Sequence, residues 1–166
     1  DDFFYRRNNE FWKDKAMQKL PALLDSRGML ACGEDLGMIP ATVPQVMDDL
    51  RILSLEIQRM PKSVEETFAH PANYPYLSVC TTSTHDMNPI RAWWEEDREV
   101  TNDFWHMILG NQGEAPYFCE PWICRQILDQ HVWSPAMLTI LPLQDWLSMD
   151  EQLRREDPNT ERINVP

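Results

Sequence analysis

Long apolar runs are missing from this chain. No uninterrupted stretch approaches the roughly 18 residues that a membrane-spanning helix needs, so no such helix is encoded here. Basic residues are scarce as well: 15 Lys and Arg stand against 27 Asp and Glu, a formal net charge of −12. That balance repels phosphate backbones and anionic lipid, which argues against nucleic acid and membrane surfaces as partners. A neutral ligand needs no attracting field, so the acidity permits one without requiring it. The four cysteines, Cys32, Cys80, Cys119 and Cys124, contain no Cys-x-x-Cys pair, and the interval between Cys119 and Cys124 is too weak a spacing for zinc. Free thiols in a reduced cytosol are the simpler account, with Cys32 and Cys80 serving as small hydrophobes inside strands. Internal repeats and low-complexity segments are absent. Residues 1–7 carry neither a basic leader nor an apolar core, so no secretory signal is visible; the cytoplasmic reading rests on the free thiols.

What the chain does contain is a broad alternation of helical and extended text, at 43% apolar residues. Asn8 or Asn9 can cap a helix in which Trp12, Ala16, Leu20, Leu23 and Leu24 recur at intervals of four and three, ending at Arg27-Gly28. A strand at residues 29–32 follows, then a short helix at 43–50 and strands at 53–59 and 77–82. Helices open at 89–94 and span 121–131, and a last strand covers 137–141. Strands alternating with helices predict an α/β protein with a parallel sheet. Loop-like, proline-bearing text at 61–75 and 111–121 suits the rim of such a sheet.

Two of these strands run directly into carboxylates. Met29-Leu30-Ala31-Cys32 precedes Gly33-Glu34-Asp35-Leu36-Gly37, and Tyr76-Leu77-Ser78-Val79-Cys80 precedes Ser83-Thr84-His85-Asp86. Taken alone, Glu34-Asp35 is an acidic pair capping the next element, and His85 is a hydrogen-bonded histidine. Two carboxylates presented at strand ends also suit acid/base work on a sugar acetal. Seven tryptophans add aromatic faces of the kind that hold pyranose rings. Trp93 and Trp94 follow Asp86 closely, but neighbours on a helix diverge by about 100°, so only one can face a pocket. Trp12, Trp105, Trp122, Trp133 and Trp146 read as packing residues. A noncatalytic glucan-binding module would account for the aromatics, though not for the acid pair.

The segments Gly33 to Pro40, Ile57-Gln58-Arg59-Met60-Pro61, Asn73-Tyr74-Pro75, Ser83 to Asp86, Pro142-Leu143-Gln144-Asp145 and Arg162-Ile163-Asn164 resemble, in order and spacing, glycoside hydrolase family 77. These are the 4-α-glucanotransferases, and the wording is most similar to the plant cytosolic disproportionating branch. The resemblance implies a (β/α)8 barrel, with this chain supplying a single partial domain over residues 1–166, about strands 5 to 8. It implies Glu34 as general acid/base and Asp86 as the carboxylate that stabilises the charged transition state. His85, Asp35, Tyr74, Asn164 and Trp93 are implied as sugar-binding residues. An acid protonated near neutrality requires a partly desolvated pocket and a neighbouring carboxylate. The substrate implied is a maltooligosaccharide or longer glucan, and neither metal nor cofactor is called for. Met60 stands where relatives often carry an aromatic residue.

The family's nucleophile, an aspartate in an Arg-x-Asp-His segment, has no counterpart here; Arg6-Arg7-Asn8-Asn9 does not match. A retaining transferase needs it about 5 Å from the acid. A complete barrel takes about 250 residues, against 166 here. The chain therefore reads as the C-terminal half of a barrel, cut at both ends, inactive alone and prone to self-association through unpaired strand edges. A fragment of an α-amylase-type hydrolase is the alternative, since related barrels share the acid and the aspartate after histidine.

Overall fold

In the computed structural model, which describes residues 6–26, 28–37 and 39–164, the sheet holds three parallel strands in sequence order. They are β1 (Ser54–Ile57), β2 (Ser78–Thr81) and β3 (Leu138–Thr139). Ser54 lies opposite Ser78 and Glu56 opposite Cys80, while Cys80 in turn pairs with Thr139. Outside β1, Cys32 forms an isolated parallel bridge to Leu53. Leu53 donates to the Ala31 carbonyl at 2.9 Å, and Gly33 donates to the Leu53 carbonyl at 2.8 Å. Four extended segments thus lie side by side in chain order, and the expected strand at 29–32 is reduced to a single bridge.

The helices are α1 (Asn9–Asp25), α2 (Val43–Asp49), α3 (Ile90–Glu96), α4 (Arg98–Met107), α5 (Pro121–Val132) and α6 (Leu143–Leu147), with single 3-10 turns at Pro71–Asn73 and Pro158–Glu161. In α1, Asn8 takes the N-cap position and its carbonyl accepts from Trp12 at 2.7 Å. The helix closes at Ser26; of the expected terminus, Arg27 lies outside the described residues, as do the first five residues, Met38 and the last two. Its apolar stripe is narrower than the spacing suggests. Trp12, Leu20 and Leu24 pack on Val43, Met47 and Ile52, but Leu23 is 66% exposed.

A larger core forms where α3, α4 and α5 meet. Ile90, Trp94, Phe104, Ile123, Ile127 and Leu128 are buried there together with Phe68. Phe104 meets both Phe68 and Trp93 edge-on at 5.1 Å, a geometry that adds about 1 kcal/mol per pair beyond area burial. Helix α4 was not expected, although Val100, Phe104, Trp105 and Ile108 have helical spacing and Asp97 caps it by accepting from the Glu99 and Val100 N–H groups.

Two groups of residues depart from the packing roles read from sequence. Cys32 is exposed, because the bridge that carries it has a neighbour on only one side, whereas Cys80 is fully buried as expected. Trp133, just past the last turn of α5, is 84% exposed, and Trp122 at the other end is 51% exposed. No helix among the described residues is long and apolar enough to cross a membrane.

His131 anchors α5 to the sheet side of this core. Its ring is fully buried and its Nδ1 lies 2.8 Å from the Ile127 carbonyl, which fixes the proton on that nitrogen in the neutral ring. Burial holds the imidazole below its ordinary value of 6.5; the Ile127 carbonyl opposes this and the Arg59 charge adds to it. Below about pH 6.5 the unfolded chain takes a proton that the folded chain refuses, so this contribution to stability is present above that pH and lost as pH falls. Thermal melts should therefore show Tm dropping between about pH 7 and pH 5, and His131→Gln should flatten that slope. Parallel slopes in the two proteins would contradict the assignment.

Candidate active site

The Gly33 to Gly37 turn leaves the sheet at the Cys32 bridge. A Cβ on Gly33 would come within 2.9 Å of the Met47 Cε, so a larger residue before Glu34 would oblige the end of that flexible side chain to shift. Gly37, at φ +71°, supplies the left-handed step that ends the turn. Glu34 is exposed, and no hydrogen bond or ion pair reaches it among the described residues. The partly desolvated pocket expected around it is therefore not formed by these residues.

Asp35, expected among the sugar-binding residues, lies on the inner side of the turn. It is 5% exposed, accepts the Leu55 N–H at 2.9 Å and faces the Lys62 ammonium at 2.7 Å. Lys62 also reaches Glu56 at 2.6 Å, and Glu56 accepts from Ser54 at 2.7 Å. Both oxygens of Asp35 are thereby engaged in tying the turn to β1, because a carboxylate this deeply buried needs partners for its charge.

The second motif follows β2. Asp86 is exposed, with its Oδ2 3.0 Å from His85 Nε2 and its Oδ1 accepting from Asn164 Nδ2 at 2.7 Å. Arg162 gathers the group: it donates to the Asp86 carbonyl at 2.8 Å, to the Asn88 side chain at 3.2 Å and to the Asn164 carbonyl at 2.8 Å. The structure thus brings together three of the sequence-derived site residues, Asp86, His85 and Asn164, from segments 78 positions apart. A pocket of about 350 Å³ opens beside them, between His85, Leu143 and Ile163.

Tyr74 and Trp93 are not part of this group. Tyr74 is 5% exposed, its ring edge-on to His131 at 6.5 Å, and its hydroxyl is buried with no hydrogen-bond partner among the described residues. Burial, with Cys80 and Glu56 nearby, pushes its ionisation well above the ordinary tyrosine range. Trp93 packs on Phe68 and Phe104, and the Arg59 guanidinium sits over its ring at 4.9 Å. An arginine thus occupies a ring face that could have stacked on a sugar.

Four positioning residues went unassigned in the sequence, although two of them, Asp145 and Arg59, lie inside quoted segments. Asp145 is fully buried and accepts from Thr82 Oγ1 at 2.5 Å, the Ile90 N–H at 2.9 Å and Ser83 Oγ at 3.4 Å. Burial raises its carboxyl above the usual range, while those donors and the Arg59 charge pull it back. Arg59 donates to the Thr82 and Asn88 carbonyls at 2.8 Å each, and burial lowers its guanidinium to about 10. Arg91 and Glu161 form a buried ion pair at 2.9 Å that fixes the 3-10 turn from which Arg162 and Asn164 extend.

The described residues form an α/β protein in which Glu34 and Asp86 lie on loops that follow two extended segments of one parallel array, with β1 between them. Residues 2–166 match the family model for glycoside hydrolase 77, 4-alpha-glucanotransferase, and the chain belongs to that family. It is 41% identical over 165 residues to the 4-alpha-glucanotransferase DPE2 of Oryza sativa subsp. japonica, a match covering 99% of this chain and 17% of that protein. It is 31% identical over 159 residues to the 4-alpha-glucanotransferase of Chlamydia muridarum, covering 92% of the chain and 29% of the relative. The chain therefore spans less than a third of the length of either. Among solved structures, an amylomaltase from Streptococcus agalactiae in complex with acarbose superposes with a TM-score of 0.62 at 19% identity, covering 88% of this chain and 27% of that one, a likeness of fold.

Asp145→Ala would leave the Thr82 and Ile90 donors without their acceptor in a buried site. The expected cost is on the order of 3 kcal/mol of stability, read as a lowered denaturation midpoint. An unchanged midpoint would mean the loop after β2 is held by something else.

Proposed function

We propose that the protein carrying this chain is a retaining 4-α-glucanotransferase that moves α-1,4-linked glucosyl units between maltooligosaccharides without metal or cofactor. In this reading residues 1–166 form one partial domain, about strands 5 to 8 of a (β/α)8 barrel, and the protein is cytoplasmic, a setting that suits its free thiols. Membership of the family supports the activity. The observation that carries the site is the cluster of Asp86, His85 and Asn164 in the loop after β2.

The roles follow from what each group can do. Breaking the glycosidic bond requires a proton on the leaving oxygen, and Glu34 is the acid that supplies it and later takes a proton from the acceptor hydroxyl. Its turn leaves the sheet two strands away from the Asp86 loop, about 10 Å at the usual spacing between strands. That gap leaves room for a sugar ring between the two loops. Positive charge develops at the anomeric carbon in the transition state, and the fixed carboxylate of Asp86 opposes it. His85 and Asn164 hold that carboxylate from either side and have further hydrogen-bonding capacity for sugar hydroxyls. Asp35, Tyr74 and Trp93 act one step back from the sugar, by holding the turn and the core behind it. The covalent nucleophile comes from outside these residues, because no Arg-x-Asp-His segment occurs among them.

Two substitutions in the full-length protein test the assignment. Glu34→Gln should lower glucan redistribution by roughly 10²–10⁴-fold with binding largely kept. Asp86→Asn should lower kcat on the order of 10²–10³-fold, with a smaller change in ground-state affinity. Normal turnover in the first variant, or a change confined to KM in the second, would sink the corresponding role.

The isolated 166-residue chain is expected to show no turnover and to self-associate. Met29, Leu30 and Ile140, beside the two outer edges of the sheet, are 72%, 58% and 61% exposed, and unpaired strand edges recruit one another. A monodisperse monomer in light scattering, or measurable transfer by the chain alone, would overturn this.

A further inference from the structure

The outer face of α5 carries a groove unrelated to the Asp86 cluster. It has a volume of about 530 Å³ and runs along the helix between Trp122 and Trp133, with His70 from the turn before β2 on its far wall. Trp122, Gln126, Asp129 and Trp133 are spaced at 0, 4, 7 and 11 positions, so they lie along one side of the helix. The two indoles stand about 16 Å apart along its axis. Trp122 is steadied edge-on by Trp105 at 5.7 Å, which fixes its exposed face.

The groups between the two rings have hydrogen-bonding capacity to spare. Arg125 and Asp129 are 73% and 54% exposed and only 3.7 Å apart, a loose pair that leaves most of their donors and lone pairs open. Gln126 donates weakly to the Leu109 carbonyl at 3.4 Å and keeps its own carbonyl oxygen available. His70 Nδ1 accepts from the Ala72 N–H, which leaves Nε2 as a donor facing outward.

This arrangement selects among possible occupants. A surface built for another protein concentrates aromatics at its centre and depletes charge there. Here the order is reversed: aromatics at the two ends, a balanced charge pair and amide in the middle. A chain of hexoses alternates apolar C–H faces, which lie on indoles, with hydroxyls that both donate and accept. It carries no charge of its own, so a neutral, balanced middle suits it.

We infer that this face of α5 is a second, noncatalytic binding site for an α-glucan chain, with Trp122 and Trp133 as the two sugar-stacking platforms and Arg125, Gln126 and Asp129 as the hydroxyl contacts between them. The choice of an α-glucan rests on the transferase reading above. The site itself rests on the groove.

Native gel electrophoresis of the full-length protein through soluble starch, together with transferase kinetics on maltotriose and on starch, tests it. Trp133→Ala should weaken starch retardation about tenfold and raise KM for starch, while kcat and KM on maltotriose stay unchanged. Trp122→Phe, which keeps packing against Trp105 while shrinking the platform, should act in the same direction more weakly. Retardation equal to that of the parent in Trp133→Ala would overturn the inference, and so would a change in oligomeric state in light scattering, which would assign the face to a second copy. The two readings fail separately: loss of retardation in Trp133→Ala with no turnover in the parent would reject the transferase and keep the glucan site.

Discussion

Asp145 sits where three segments meet that share no backbone ladder. Its carboxylate takes the Thr82 and Ser83 hydroxyls from the end of β2 and the first N–H of α3, while its own helix α6 begins just before it. A helix N-terminus has amide donors with no partner in the helix, and a negative charge there is favourable. Here one buried acceptor meets that need and also fixes the two residues before Thr84-His85-Asp86. Charge is costly to bury, so the site persists only because donors converge on it and Arg59 lies close by. Apolar side chains of the same size could fill the volume. They could not dictate where the loop after β2 departs.

Arg59 extends the same constraint outward. It is largely enclosed, yet it reaches the Thr82 and Asn88 carbonyls and places its guanidinium over the Trp93 ring. The aromatic core around Phe104 is thereby coupled to the backbone that presents Asp86. A planar guanidinium can do both at once, stacking with its face and donating from its edge. This explains why Trp93 serves the loop from behind, although its sequence position near Asp86 suits a direct contact with sugar.

Periodicity made most of the sheet and helix order legible: α1, α2, α3, α5 and the parallel strands fall close to the segments read from apolar spacing. The extended segment at 29–32 has the composition of a strand, but composition does not supply a second neighbour, and only Cys32 pairs. Helix α4 was hidden by the charged run Glu95-Glu96-Asp97-Arg98-Glu99, which masks an apolar stripe that begins at Val100. In the site, spacing alone could not link Asn164 to Asp86; the resemblance implied Asn164 only as a sugar-binding residue, and the contact between the two is seen in the fold. Burial was the property least visible in the text. Asp35 lies beside Glu34 in sequence yet turns inward, since in an extended segment successive side chains point to opposite sides, and Tyr74 is buried behind the turn it closes. Trp122 and Trp133 show the converse, aromatics read as core and found on the surface.

The two tiers of polar contact differ in kind, and the difference bears on catalysis. Beneath the loops, Asp145 and the Arg91–Glu161 pair are buried, each of the latter side chains only 7% exposed, where removing one partner leaves an isolated charge. Above them, His85 and Asp86 are 69% and 64% exposed, so their mutual attraction is screened and weak. A strongly paired Asp86 would already be neutralised before any substrate arrived, and would have little left to offer a developing cation. Held from two sides by His85 and Asn164 above the buried layer, the carboxylate stays open to solvent. In the proposed transferase its full effect would appear only when a bound ring excludes water and lowers the local dielectric, which is when the transition state would need it.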